Sequence, residues 1–321
     1  MTPRWPVHPA PTSGEALSSW LTRIAVLYGA TVEDLVADLG FWPGRAADLD
    51  TCPPGLLAHQ LSKRTGTGAD RIRKMSLSGW SPILLDSVEP DPHLFMTYTR
   101  EFSVLLPAGR RRDRQIYPWL PWHSSLPRMR ACPICIAVTT PPHPYQLLWL
   151  LPLTLSCQLH GCRLEARDRR GVDFRDWQRT PPEPRAISTT LLAMDTRTWQ
   201  GLATGTVNLL RLQVDARVWF RLIRTIIDEL GVTLAECGNA RNTMMKAWEE
   251  AGHHFRMGPL SWHTHEDHTP SSQLLALEAT AMAIHLLETN TLTGRGPDAA
   301  FFLPAPPGAR PSRWVRGDVS T

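Results

Sequence analysis

Four side chains near the middle of the chain have the types and spacing of a metal site. Cys132 and Cys135 stand in Cys-Pro-Ile-Cys, and after 21 residues Cys157 and His160 stand in Cys-Gln-Leu-His. A two-residue gap lets one tight turn aim both donors at a single ion, and two such turns supply three thiolates and one imidazole, a tetrahedral set that suits Zn²⁺. With all four positions filled by protein, the expected site holds one structural zinc and does no catalysis. Cys162 follows closely. His160 is preferred as fourth ligand because Cys157-x-x-His160 repeats the knuckle spacing, whereas Cys157 and Cys162 are five apart; Cys162 is the alternative. Cys52 and Cys237 have no partner at knuckle spacing and read as small buried hydrophobes.

A second kind of chemistry is cationic. From Arg100 to Arg185 there are fourteen arginines, no lysine and seven acidic residues, so this stretch carries +7 against +4 for the whole chain. Within it, Arg110, Arg111, Arg112 and Arg114 crowd into five positions, followed by Tyr117, Trp119 and Trp122. Arginines beside aromatics suit phosphate contact with base stacking, and equally suit docking on an acidic protein surface. Arg71, Arg73 and Lys74 form a smaller group on a short helical stretch, as candidate contacts to phosphate or base edges. Five histidines fall between His253 and His268, but no cysteine joins them and His265-Glu-Asp-His268 is not the His-Glu-x-x-His of a metalloprotease. A solvated polar loop is expected there.

The elements that position these groups read as helices. Thr12-Ser-Gly-Glu15 has capping-box spacing ahead of an apolar stripe of Leu17, Trp20, Leu21, Ile24 and Tyr28, and Gly29 fits a left-handed stop. Thr31 caps a second helix through Leu39. The pattern repeats with a helix over 53–64, its Leu56, Leu57 and Leu61 inward, a turn at Thr65-Gly-Thr-Gly68, and a short helix from Ala69 to about Met75. Each pair is the raw form of a helix-turn-helix, and an ordinary helical hairpin has the same pattern. The Pro-rich stretch 78–130 reads as an extended connector with one short helix around 94–106. Residues 163–190 read as an Arg/Pro-rich linker. Beyond it, a small helix around Leu191–Leu202 precedes the longest expected helix, Val207–Leu230, apolar over much of its circumference. Further helices fit 240–251 and 271–288, and the Pro/Gly-rich tail from Thr291 is expected to be disordered or partner-bound.

The fold class is therefore mainly α: helix-turn-helix units with an inserted small zinc ribbon or finger and a C-terminal helical domain. Four regions are expected: a helical helix-turn-helix-containing domain with its connector at 1–125, the zinc finger at 126–170, a helical domain at 171–290, and the tail at 291–321. No stretch is long and apolar enough to span a bilayer, no signal-peptide pattern opens the chain, and six cysteines with four crowded into 132–162 are no secreted disulfide framework, so a soluble protein in a reducing cytoplasm is expected.

With these residues in hand, the chain resembles the TniQ/TnsD family of transposition target-selection proteins. The resemblance covers about residues 11–165. It rests on Gly14-Glu-Ala-Leu-Ser-Ser-Trp-Leu-Thr-Arg-Ile-Ala25, on Asp48-Leu-Asp50, on 56–66 and on Met75-Ser-Leu77 in that order. Its most specific part is Cys132-Pro-Ile-Cys135, Tyr145, Trp149 and Cys157-x-x-His160-Gly161-Cys162-x-Leu164. It implies Cys132, Cys135, Cys157 and His160 as zinc ligands in a non-enzymatic adapter of DNA transposition and recombination. Such an adapter marks target DNA or docks on a DNA-targeting complex, recruits the transposon's AAA+ ATPase regulator and through it the transposase, and in some members acts as a homodimer. A bacterial, nucleoid-associated cytoplasmic protein follows from the same likeness. The chain lacks the second Cys-x-x-Cys finger that longer members carry after this point. The alternative reading is a helix-turn-helix DNA-binding transcriptional regulator stabilised by zinc. A zinc enzyme on nucleic acid fits poorly. Ala131 precedes Cys132 where the deaminase pattern has proline, no His-x-Glu lies upstream, and neither a Walker A pattern nor a serine elbow is present.

Overall fold

The computed structural model describes residues 3–41, 46–89, 91–124, 130–166, 177, 181–254, 263–304 and 312–313. It is mainly helical, with only short strands. Cα packing divides the chain into two compact units, one built from Met1–Glu89, Leu126–Leu151 and Cys162–Ala186, the other from Pro90–Ser125, Pro152–Gly161 and Ile187–Thr321. Much of the stretch 167–180 and most of the tail beyond 304 lie outside the described residues.

The first unit opens with α1 (Leu17–Tyr28) and α2 (Val32–Asp38). Leu17, Trp20, Leu21 and Ile24 of the expected apolar stripe of α1 are essentially inaccessible, whereas Tyr28 at its end is exposed. Gly29 ends the helix at φ 60°, where a side chain would be strained. Thr31 and Asp34 close a reciprocal capping box on α2. Thr12 does not cap α1, which starts five residues later at Leu17 behind Ala16. Glu15 turns inward instead and accepts from Thr12 N (2.8 Å), Ser19 Oγ (3.1 Å) and Arg23. The chain continues through α3 (Ala46–Thr51), α4 (Leu57–Thr65) and α5 (Ala69–Arg73). Leu57, Leu61, Ile72 and Met75 join the stripe of α1 and Trp5 in one core. Leu56 precedes α4 and is two-thirds exposed, so it does not pack inward as its helical spacing suggested. After α5 the backbone folds back so tightly that a Cβ on Gly79 would lie 2.0 Å from the Arg73 carbonyl oxygen.

A buried polar knot fixes the N-terminus of α1. Asp50 accepts from the backbone N–H of Ser18 (2.8 Å) and from Ser18 Oγ (2.5 Å), and Tyr145 Oη lies 2.6 Å from that same oxygen. Backbone bonds from Ala16 to Tyr145 and from Leu147 to Gly14 complete the seam. Burial raises the Asp50 carboxyl to about 6, with the Ser18 donors pulling the other way, and raises the Tyr145 phenol as well.

In the second unit α6 (Leu94–Arg100) is followed by irregular backbone to Ser124. Then come α7 (Thr189–Thr204), the strands β1 (Thr206–Asn208) and β2 (Leu212–Asp215), α8 (Ala216–Leu230), α9 (Leu234–Cys237), α10 (Arg241–Glu250) and α11 (Pro270–Glu288). The long helix expected over 207–230 is thus a two-stranded hairpin followed by a shorter helix. Residues 206–215 form an antiparallel hairpin with Val207 opposite Val214, joined by a parallel strand β3 (Ser312–Arg313) along β2. Val207, Leu209, Leu212 and Val214 are its buried side, and Asp215 then caps α8 by accepting from Arg217 N. The longest helix among the described residues is α11. Helix α8 is buried around most of its circumference and packs against α6, α7 and α11.

The polar loop expected around the histidines is also different. Glu266 is 1 % exposed and forms a two-point ion pair with Arg224 of α8, at 3.0 and 3.2 Å. Trp119 Nε1 (3.1 Å) and the Trp122 backbone N–H (3.2 Å) donate to the same carboxylate. Arg224 holds the Glu266 carboxyl well below its ordinary range against the opposing effect of burial. His265, bonded to the Pro152 carbonyl at 2.8 Å, is kept neutral by burial, its pKa lowered to about 3. Residues 291–304 of the tail are packed, not loose: Phe301 and Phe302 are buried, Asp298 accepts from Ser103 N at 2.8 Å, and Gly296 N donates to the Val104 carbonyl.

Two outcomes test this description. Glu266→Gln leaves Arg224 buried without its counter-charge and should cost about 3 kcal/mol, read as a lower denaturant midpoint in tryptophan fluorescence. Asp50 binds its proton more tightly folded than unfolded, so its contribution falls as pH rises from 3.8 through about 6. The stability difference between wild type and Asp50→Asn should therefore shrink by about 2–3 kcal/mol between pH 4 and pH 7 and then level off; a pH-independent difference would contradict the assignment.

Candidate metal centre

The two knuckles are built by local rules. Cys132 is the N-cap of the five-residue helix Pro133–Ala137, with Pro133 at its first position, where the missing N–H costs nothing. The Cys135 N–H accordingly points back at Cys132 Sγ (3.4 Å), an N–H···S bond that favours the thiolate. In the second knuckle Gly161 N donates to the Cys157 carbonyl at 2.8 Å, closing a turn around Gln158, Leu159 and His160, and Gly161 adopts φ 60°. Short strands at Arg130–Ala131 and Glu165–Ala166 pair antiparallel and close the segment. Buried Arg130 donates to the Leu151 carbonyl at 2.5 Å, and Glu165 is held by Arg185.

Asp195, fully buried on α7, sets the approach to the second knuckle. Its Oδ2 accepts from Leu155 N (3.0 Å), Ser156 N (2.8 Å) and Ser156 Oγ (2.5 Å), immediately before Cys157. Sequence reasoning missed it, because an aspartate 38 residues after Cys157 inside a helical pattern carries no local signal.

The ligand atoms of Cys132, Cys135, Cys157 and His160 all lie within 4.8 Å of one another. Cys157 Sγ and His160 Nδ1 are 3.5 Å apart. Zinc bonds of about 2.3 Å to sulfur and about 2.0–2.1 Å to nitrogen at a tetrahedral angle put such a pair roughly 3.6 Å apart, so the spacing fits one shared ion. Cys132 and Cys157 are buried, Cys135 is half-buried and His160 is exposed. The donor set can hold one metal ion and is consistent with zinc.

The cationic candidates are placed differently. Arg73 and Lys74 are exposed at the end of α5, Arg73 paired with Asp70. Arg71 reaches the Pro11 carbonyl. Arg111 is buried, and its guanidinium is taken up by the Thr99 and Phe102 carbonyls (2.7 Å each) and Asp228 (3.2 Å). Arg112 is exposed and pairs with Glu236 at 3.0 Å. Arg114 lies over the Phe95 ring, 5.2 Å from its centroid. Arg110 is exposed, its guanidinium near Gly238. Trp119 and Trp122 are core residues, not stacking platforms, and Tyr117 is exposed.

The structure is thus a mainly helical one with a Cys₃His cluster, between short knuckles, that could form a zinc site. Residues 6–164 match the model of the TniQ family, from before α1 through both knuckles to Leu164. The chain belongs to the TniQ family through this domain, which ties it to transposition-associated adapters, in general non-catalytic. No curated protein and no solved structure matches it. Among the described residues no helix is long and apolar enough to cross a membrane.

Because metal binding and local folding are coupled, Cys132→Ala and Cys157→Ala should each drop metal content from one ion per chain to near zero and lower thermal stability. Elemental analysis of the purified variants with melting curves checks this. Full metal content at unchanged stability would show that other residues are the ligands.

Proposed function

We propose that this protein is a non-enzymatic adapter in DNA transposition. In this reading it marks or selects the target, directly on DNA or by docking on a DNA-targeting complex, and recruits the transposon's AAA+ ATPase regulator and through it the transposase. The observation that carries the proposal is the TniQ domain over 6–164, which takes in all four metal donors. Arg73 and Lys74, exposed at the end of α5 and following the glycine turn from α4, are the cations best placed for phosphate contact. Arg110 and Arg112 are exposed as well, whereas Arg111 is committed to its own core and drops out of the proposed contact set. Self-association as a homodimer and a place at the bacterial nucleoid belong to the same reading.

Affinity purification from the native host should recover an ATPase of the AAA+ class together with a transposase, and deletion should abolish insertion. Recovery of neither, with insertion unaffected, would overturn the proposal, and a discrete operator in their place would point to a transcriptional regulator. If the α4–α5 surface meets DNA, replacing Arg73 and Lys74 together by alanine should weaken binding across sequences. It should also flatten the slope of log K against log salt by about 2.

A further inference from the structure

Cys162 stands against the metal cluster. Its Sγ lies 3.4 Å from Cys132 Sγ, and it is 7 % exposed. His160, two residues earlier on the same turn, is the exposed member of the donor set. Two thiolates on one tetrahedral zinc stand roughly 3.8 Å apart, given Zn–S bonds of about 2.3 Å, so Cys162 is already at inter-ligand range from Cys132. Between the two residues lies Gly161, at φ 60° with nothing within 4 Å of where a Cβ would project. The turn that carries both donors therefore has a pivot with room around it. Solvent reaches the imidazole, while the second sulfur is shielded.

We infer that Cys162 is a reserve ligand of the centre: when His160 lets go of the ion, the Cys162 sulfur takes its place, and the site passes from three thiolates and an imidazole to four thiolates. In this exchange the metal–nitrogen bond breaks, a metal–sulfur bond forms and the thiol proton passes to solvent. No electron moves, and the charge of the divalent site goes from −1 to −2 as a third thiolate becomes a fourth. Loss of the exposed ligand then leaves the knuckle closed and not open. The inference concerns the metal centre alone and stands or falls independently of any role in transposition.

The full chain loaded with Co²⁺ in place of zinc tests it, because thiolate-to-cobalt charge-transfer absorption grows with the number of bound sulfurs. Wild type and Cys162→Ala should both show the three-thiolate intensity. His160→Ala should keep one cobalt per chain and rise by about a third to the four-thiolate intensity. The double variant His160→Ala/Cys162→Ala should lose the ion or fall back to three thiolates. A His160→Ala spectrum that stays at three thiolates, or loss of cobalt from that variant, would overturn the inference. Four-thiolate intensity in the wild type would overturn it too, making Cys162 the resident ligand. A second measurement needs no His160 variant: Cys162→Ala should hand its zinc to a chromogenic chelator several-fold faster than wild type, and an unchanged rate counts against the reserve role.

Discussion

Three sulfurs and one imidazole nitrogen gather within 4.8 Å of one another, and the backbone from Arg130 to Ala166 has to deliver all four. Little regular structure is present there to do it otherwise: one helix of five residues, one turn of 3₁₀ helix and a pair of two-residue strands. A segment so poor in backbone ladders would be expensive to order by packing alone, and an ion held by the four donors would add its free energy of ligation to the folding of this part of the chain. Asp195 before Cys157 and the Pro133 helix start after Cys132 fix the backbone on which the donors stand.

The same economy recurs wherever irregular backbone is buried. Interior N–H groups must find acceptors, and here single carboxylates take several at once. Glu229 accepts from Val104 N (3.1 Å) and Leu105 N (2.6 Å), and burial raises its pKa to about 7. Asp195 organises residues 155 and 156, Asp50 the start of α1, and Glu266 the backbone at Trp122. Glu266 has the fully buried Arg224 guanidinium directly opposite it. Burial raises Asp50 and Glu229 against the pull of their donors and, at Glu229, of the Arg111 charge, while Arg224 holds Glu266 low. In a chain with 29 prolines, inward-facing acids take over much of the work that sheets do in other folds.

What could be read in advance was what is encoded locally. Gly29 and Gly66 end helices at positive φ, Thr31 and Asp34 start one, and the two knuckle spacings bring their donors together. What could not be read depends on partners far along the chain. Glu266 looks solvated among its histidines until Arg224, 42 residues away, is placed opposite it. Arg111 looks like a free cation until the Thr99 and Phe102 carbonyls and Asp228 are seen around it. The hairpin at 206–215 is an intermediate case. Its apolar residues extend a helical pattern without a break, yet Val207 and Leu209, then Leu212 and Val214, also alternate with period two, and Asp215 is a good cap for a helix that begins after it. Length favoured one long helix; the cap marked the correct boundary.

The third strand of that small sheet comes from far away in sequence. Ser312 and Arg313 lie parallel to Leu212 and Gln213, a hundred residues later, and cover β2 backbone groups that β1 leaves facing outward. A bare strand edge is an adhesive surface, open to any extended segment of matching length. The chain fills that position with a piece of itself, Ser312 and Arg313 among the described residues. The hairpin edge is thus closed by a segment of the chain that forms it, which ties a distant stretch of sequence to the start of α8.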